Sequence, residues 1–212
     1  MPKKKEFTIV FQGDSVTDAG RGLAKDFNHD LGLGYPFLIS ARLRCDHPEK
    51  NYVILNRGIS GHRSVDLYAR WKADTINLKP DLLSILIGVN DTWHEFSYKN
   101  GVEVPRYEQF LRMLIEWTKK DLPKTKIVLI EPFVLNFGAV SDSWLPEMKE
   151  RGKVVKKLAE EYGLTFIPMQ TILNNALKKA PAEFWLKDGV HPTTEGFQLI
   201  ADSWIKYTKD LI

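Results

Sequence analysis

Cysteine is almost absent from the chain. Cys45 stands alone among 212 residues, so neither an internal disulfide framework nor a cysteine-ligated zinc site can be built. Long apolar runs are missing too: no stretch approaches the roughly 20 residues that span a bilayer. The run Phe7–Phe11, preceded by Lys3-Lys4-Lys5-Glu6, is too short for the core of a signal peptide. An excess of charge of one sign is nearly lacking, since 30 Lys and Arg against 27 Asp and Glu leave a net charge of +3. The basic pairs, Lys119-Lys120 and Lys156-Lys157 among them, are scattered as on solvated helix faces, which argues against a nucleic-acid partner. His94-Glu95 has no second histidine at helical spacing, and His29, His47 and His62 show no ligand pattern, so no metal is expected. Asn90-Asp91-Thr92 is formally a glycosylation acceptor, which would burden a secreted version. These absences predict a cytoplasmic protein with no membrane partner and no cofactor. They leave the oligomeric state open, a homo-oligomer included.

Five short runs rich in Ile, Val, Leu and Phe are present: Phe7–Phe11, Tyr52–Leu55, Leu82–Ile87, Ile127–Ile130 and Thr165–Ile167. Their apolar residues continue rather than alternate, which predicts strands buried on both faces. Between them lie helical patterns. Tyr107, Phe110, Leu111, Leu114 and Ile115 follow i, i+3, i+4 spacing, with Pro105 at the entry and Pro123 at the exit. Met148, Val155, Leu158, Ala159 and Tyr162 mark a second helix, closed by Gly163. Phe197, Ile200, Ala201, Trp204 and Ile205 mark a last one from about Thr193. The polar, glycine-rich segment 18–34 is expected to be a loop. Strands alternating with helices imply crossover connections and a parallel sheet covered on both sides. The expected fold is a single three-layer α/β/α domain over residues 1–212, with a flavodoxin-like five-stranded parallel sheet.

Ligands of such sheets bind beyond the carboxyl ends of the strands. After the first strand stands Gly13-Asp14-Ser15, with Thr17 or Asp18 as expected helix caps. After the second comes Gly58, which can bring its N–H close to a substrate oxygen. The third is followed by Gly88-Val89-Asn90-Asp91, where Asn90 offers an amide donor. Near the end, Asp188-Gly189-Val190-His191 places a carboxylate three residues before an imidazole. Acyl transfer by a serine needs a base within hydrogen-bond reach and a carboxylate to fix its tautomer, and Ser15, His191 and Asp188 supply that set. Each piece alone is common; the four in order are not. The α/β-hydrolase elbow Gly-x-Ser-x-Gly is absent, because Thr17 occupies its last position. Gly32-Leu33-Gly34 lacks a third glycine and follows no strand, so no dinucleotide site is expected, and there is no phosphate-binding loop of the Walker kind.

The blocks Gly13-Asp14-Ser15, Gly58, Gly88-x-Asn90-Asp91 and Asp188-x-x-His191 resemble those of the SGNH (GDSL-like) hydrolase superfamily, over nearly the whole chain. The resemblance implies a serine esterase: Ser15 attacks the ester carbonyl, His191 is general base and then general acid, and Asp188 orients His191. It also implies an oxyanion hole formed by the N–H groups of Ser15 and Gly58 with the side-chain amide of Asn90. The stretches 13–21, 56–61 and 87–93 are similar to those of bacterial intracellular acetylxylan esterases, which implies a small acetylated-sugar substrate. Leu186-Lys187 stand where those esterases would place an aromatic; Trp185 either takes that place or belongs to the core. Trp93 either stacks on a pyranose or packs under a loop. A lipolytic esterase or thioesterase is the alternative within the class, although Arg57, His62 and Arg63 suggest a polar mouth. A carbohydrate-binding protein without chemistry is the alternative outside it.

Overall fold

Runs in which apolar residues continue rather than alternate imply strands covered on both sides, and the computed structural model, which describes residues 6–22 and 30–212, contains all five. They are β1 (Glu6–Gly13), β2 (Asn51–Asn56), β3 (Leu82–Leu86), β4 (Lys126–Ile130) and β5 (Thr165–Ile167). Every pairing is parallel and the sheet order is β2-β1-β3-β4-β5, the flavodoxin-like order. All five residues of β3 are buried, as are Ile9–Gly13 of β1 and Ile127–Ile130 of β4. Two-sided burial fails at the edges. In β2, buried Tyr52, Ile54 and Asn56 alternate with half-buried Val53 and Leu55, and in β5 only Ile167 is buried. The helical layers thin out where the sheet ends, so edge strands keep one face partly open.

The helices are α1 (Ser15–Asp18), α2 (Tyr35–Asp46), α3 (Ser64–Asp74), α4 (Val89–Tyr98), α5 (Val104–Asp121), α6 (Leu145–Tyr162), α7 (Met169–Ala176), α8 (Ala182–Trp185) and α9 (Thr194–Thr208). Successive strand residues point to opposite faces. Ile9 and Phe11 therefore join Tyr35 and Ile39 of α2, Leu173 of α7 and Trp204 of α9 in one core. Val10 joins Trp71 of α3, Leu111 of α5 and Leu158 of α6 in the other. The anticipated Pro105 lies in the first turn of α5, and Gly163 closes α6 at φ 64°. The indole N–H groups of the two fully buried tryptophans are satisfied: Trp71 donates to Thr118 Oγ1 (3.0 Å) and Trp204 to Ser84 Oγ (3.1 Å). No helix among the described residues is long and apolar enough to cross a membrane. The expected loop 18–34 falls partly, and Lys3–Lys5 and His29 wholly, outside the described residues.

Candidate active site

The sheet order reverses between β2 and β3 around β1, which places a crevice at the carboxyl ends of β1 and β3. Gly13 ends β1 there. A β-carbon on it would stand 2.2 Å from Thr17 Oγ1 and 2.5 Å from the Leu86 carbonyl, so only glycine lets the chain turn directly into α1. The cap of α1 is Asp14, whose Oδ1 accepts the Val16 N–H at 3.0 Å; Thr17 and Asp18, the caps expected from the sequence, lie inside the helix. Thr17 Oγ1 bonds Tyr35 Oη (2.8 Å), and Asp18 receives the Ser60 N–H (2.9 Å). Ser15 thus begins a single helical turn tied down at both ends, and its amide has no i−4 carbonyl within that helix.

Ser15 Oγ lies 2.9 Å from His191 Nε2, and His191 Nδ1 lies 2.7 Å from Asp188 Oδ2. The second carboxylate oxygen of Asp188 accepts the N–H groups of Val190 (3.0 Å) and His191 (2.8 Å). Burial pushes the Asp188 pKa up, but these hydrogen bonds and the imidazole outweigh it and hold the carboxyl below its ordinary value. An ionised Asp188 accepts only, so Nδ1 carries the proton and Nε2 faces Ser15 with its lone pair. The turn is clamped by a neighbouring loop: Leu135 N–H donates to Gly189 O (2.8 Å) and Ala139 N–H to Asp188 O (2.9 Å). Gly189 sits at φ 89° against the Phe137 and Leu135 carbonyls, a position closed to any side chain.

Gly58 and Asn90 approach the same crevice with different freedom. The Gly58 N–H, expected to face a substrate oxygen, donates to Asn56 Oδ1 at 2.9 Å. Asn56 is itself fixed, giving its amide hydrogens to the carbonyls of Thr17 (2.7 Å) and Leu31 (2.8 Å). Gly58 is a glycine for contact as well, since a β-carbon would stand 2.4 Å from the Asp18 nitrogen. The Asn90 amide donates one hydrogen to His62 O (3.1 Å); a carboxamide has two, so one remains for a ligand. Asn90, Asp91 and Thr92 are all buried, which closes the formal glycosylation acceptor in the folded chain.

Trp93 lies on α4, half-buried, with its ring 5.7 Å from that of His191 and 5.3 Å from that of Trp144, itself stacked on exposed Phe96. Trp144 had no recognisable pattern in the sequence, because its partner is reached only through the fold. Trp185 packs against the core and gives its indole N–H to Ala180 O (3.3 Å). Arg63 pairs with Asp66 (3.0 Å), and His62 Nδ1 accepts from Arg70 Nε (3.2 Å); burial and the Arg70 charge hold the His62 pKa below its ordinary value. No group of three His, Cys, Asp or Glu among the described residues is placed to hold a metal. A cavity of about 850 Å³ between α6 and α7, lined by Glu131, Met148 and Gln170, touches none of Ser15, Asp188 and His191.

Asp14 carries a consequence for stability. Burial is the main cause that raises its pKa to about 7, against the Val16 hydrogen bond and with the nearby Asp91 charge adding to the rise. A carboxyl raised in the fold contributes stability at low pH and loses it as pH climbs toward 7. Asparagine caps as well as aspartate and does not titrate. Asp14→Asn is therefore expected to raise Tm relative to wild type more at pH 8 than at pH 5, as thermal unfolding at the two pH values would show. An equal shift at both would remove the buried charge as the cause.

Known proteins resemble this chain along most of its length. The model of the GDSL-like Lipase/Acylhydrolase family matches residues 11–199. An acetylxylan esterase of Geobacillus stearothermophilus is 36% identical over 205 residues, 93% of this chain and 92% of its own. The crystal structure of an acetylxylan esterase from the same organism superposes with a TM-score of 0.85, at 34% identity over 98% of this chain and 96% of that one. A candidate GDSL-like lipase from Parabacteroides merdae gives a TM-score of 0.93 at 42% identity, covering 99% and 98% of the two chains. Structures of catalytic mutants of the Geobacillus esterase replace a serine, an aspartate and a histidine by alanine, and its aspartate and histidine stand three positions apart.

Proposed function

We propose, from the premise that this chain belongs to the GDSL-like lipase/acylhydrolase family and is a carboxylic ester hydrolase, that it removes small acyl groups, acetyl foremost, from carbohydrates such as xylo-oligosaccharides. The reading places the chemistry in one domain over residues 1–212, working in the cytoplasm, where exposed Cys45 stays reduced. The observation that carries it is the relay from Ser15 Oγ through His191 to Asp188, with contacts of 2.9 and 2.7 Å.

In this mechanism Ser15 Oγ adds to the ester carbonyl as its proton passes to His191 Nε2, and Asp188 balances the imidazolium. The oxyanion is met by the Ser15 N–H and the second amide hydrogen of Asn90. The Gly58 N–H joins them by sharing between Asn56 Oδ1 and the substrate. Collapse breaks the bond to the sugar oxygen, which leaves with the proton from His191. Water then enters, gives a proton to His191 and attacks the acyl-enzyme; release of the carboxylic acid returns that proton to Ser15. The triad reading is supported by the Geobacillus esterase, whose catalytic mutants alter the same three residue types with the same Asp-x-x-His spacing. Support for the sugar comes from that relative's activity and from Trp93, which offers an aromatic face beside His191. Being an ester hydrolase displaces the non-catalytic binding reading.

Acetate release from acetylated xylo-oligosaccharides, measured beside the p-nitrophenyl acetate, butyrate and octanoate series, tests the substrate. The expected result is acetate release from the sugar and a kcat/KM that falls with chain length. Preference for octanoate with no acetate released would transfer the chain to the lipolytic alternative.

A further inference from the structure

Asp91 is buried beside Asn90, yet the acyl-transfer steps above make no use of it. Both of its carboxylate oxygens lie 3.1 Å from the Ser64 N–H, and Oδ1 also accepts the Ser64 hydroxyl at 2.5 Å. Ser64 is the first residue of α3 and is itself fully buried. The turn that runs from Gly58 to Arg63 ends there, and the carbonyl of its His62 receives the Asn90 amide at 3.1 Å. Two adjacent residues of α4 therefore grip the same turn: Asn90 at His62 and Asp91 at Ser64. The other side of α4 is held just as firmly. Arg151, also buried, donates Nε to Thr92 Oγ1 (2.8 Å) and a terminal nitrogen to Val102 O (2.6 Å), while the Val102 N–H returns to Asp91 O (3.1 Å).

From this geometry we propose that Asp91 is a positioning residue, which locks α4 to the 58–63 turn so that Asn90 aims its free amide hydrogen at the oxyanion. The proposal rests on the reading of Asn90 as an oxyanion donor. A side chain whose one amide hydrogen is anchored on His62 O points its other hydrogen correctly only if helix and turn keep their spacing, and the Ser64 clamp sets that spacing. Asp91 makes no ion pair within 4 Å among the described residues, and burial, the largest influence on its pKa, raises it above the ordinary value despite the Arg151 charge. Its carboxylate is a costly group in that place. The two carboxylate oxygens share the Ser64 N–H while Oδ1 also takes the hydroxyl, and a carboxamide would keep one oxygen with two lone pairs for the same two donors.

The test is a double-mutant cycle with kcat and KM on p-nitrophenyl acetate, folding being checked by thermal unfolding. Asn90→Ala should lower kcat by about 10²- to 10³-fold. Asp91→Ala should lower kcat by roughly 10- to 100-fold with KM within about threefold, but in the Asn90→Ala background by no more than about threefold. Asp91→Asn, keeping one acceptor, should recover most of the loss. If Asp91→Ala does not fold, Ser64→Ala, which deletes only the hydroxyl, runs the same cycle, with a loss of roughly 3- to 10-fold that vanishes without Asn90. The same factor lost in both backgrounds would make the clamp merely structural and overturn the proposal while leaving Asn90 in its role. An Asn90→Ala variant with unchanged kcat would overturn the oxyanion reading and the proposal with it.

Discussion

Ser15→Ala is expected to lower kcat on p-nitrophenyl acetate by roughly 10⁴-fold or more, the largest loss among these substitutions. The side chain lost is the attacking group, and no hydroxyl near it among the described residues can substitute. Thr17 Oγ1 is buried and engaged with Tyr35, on the side of α1 that packs toward β1. Ser60 is exposed and has no imidazole within hydrogen-bond reach among the described residues. The fold should be indifferent. Ser15 is half-buried and does not cap α1, a task that falls to Asp14, so Tm should move by less than about 2 °C. Paired measurements of kcat and Tm separate the roles. A variant with normal Tm that keeps more than about a tenth of the activity would sink Ser15 as nucleophile.

How far the sequence leads depends on whether polarity reports exposure. It does so for the strands: Leu82–Leu86 is apolar apart from Ser84 because helices cover both faces, and all five runs lie within two residues of the observed elements. It does so again for α9, where Ile200, Ala201 and Trp204 recur at helical spacing and are buried. It fails at α4. Asn90, Asp91 and Thr92 are polar and buried, so a pattern that equates polar with solvent sees a turn where a helix begins. α2 was missed for the opposite reason: Phe37 and Leu38 fill the gaps between buried Tyr35 and Ile39, and no polar stripe sets the apolar face apart. The site itself was more legible than its supports. Ser15, Gly58, Asn90, Asp188 and His191 each follow a strand or precede a helix in a recognisable block. Asn56 holding the Gly58 N–H, Ser64 under Asp91, and Trp144 behind Trp93 depend on distances between elements, which spacing along one chain does not encode.

Asp188→Asn should cost roughly 10³- to 10⁴-fold in kcat without disturbing the turn that carries it. In the wild type one carboxylate oxygen accepts the amides of Val190 and His191 at 3.0 and 2.8 Å, and the other faces His191 Nδ1 at 2.7 Å. An asparagine has one oxygen, and two backbone N–H groups compete for it against a single ring nitrogen. Its oxygen therefore turns to the backbone, and its NH₂ group turns to Nδ1. A donor opposite Nδ1 requires a lone pair there, so the imidazole proton moves to Nε2. Nε2 then presents a hydrogen to Ser15 Oγ at the 2.9 Å contact and can no longer remove its proton. Proton-detected ¹⁵N spectra of the His191 ring should show the exchange directly: Nδ1 protonated in the wild type, Nε2 in the variant. A variant that keeps the Nδ1–H tautomer and loses less than about tenfold would make Asp188 a buttress of the turn alone, and the relay would end at His191.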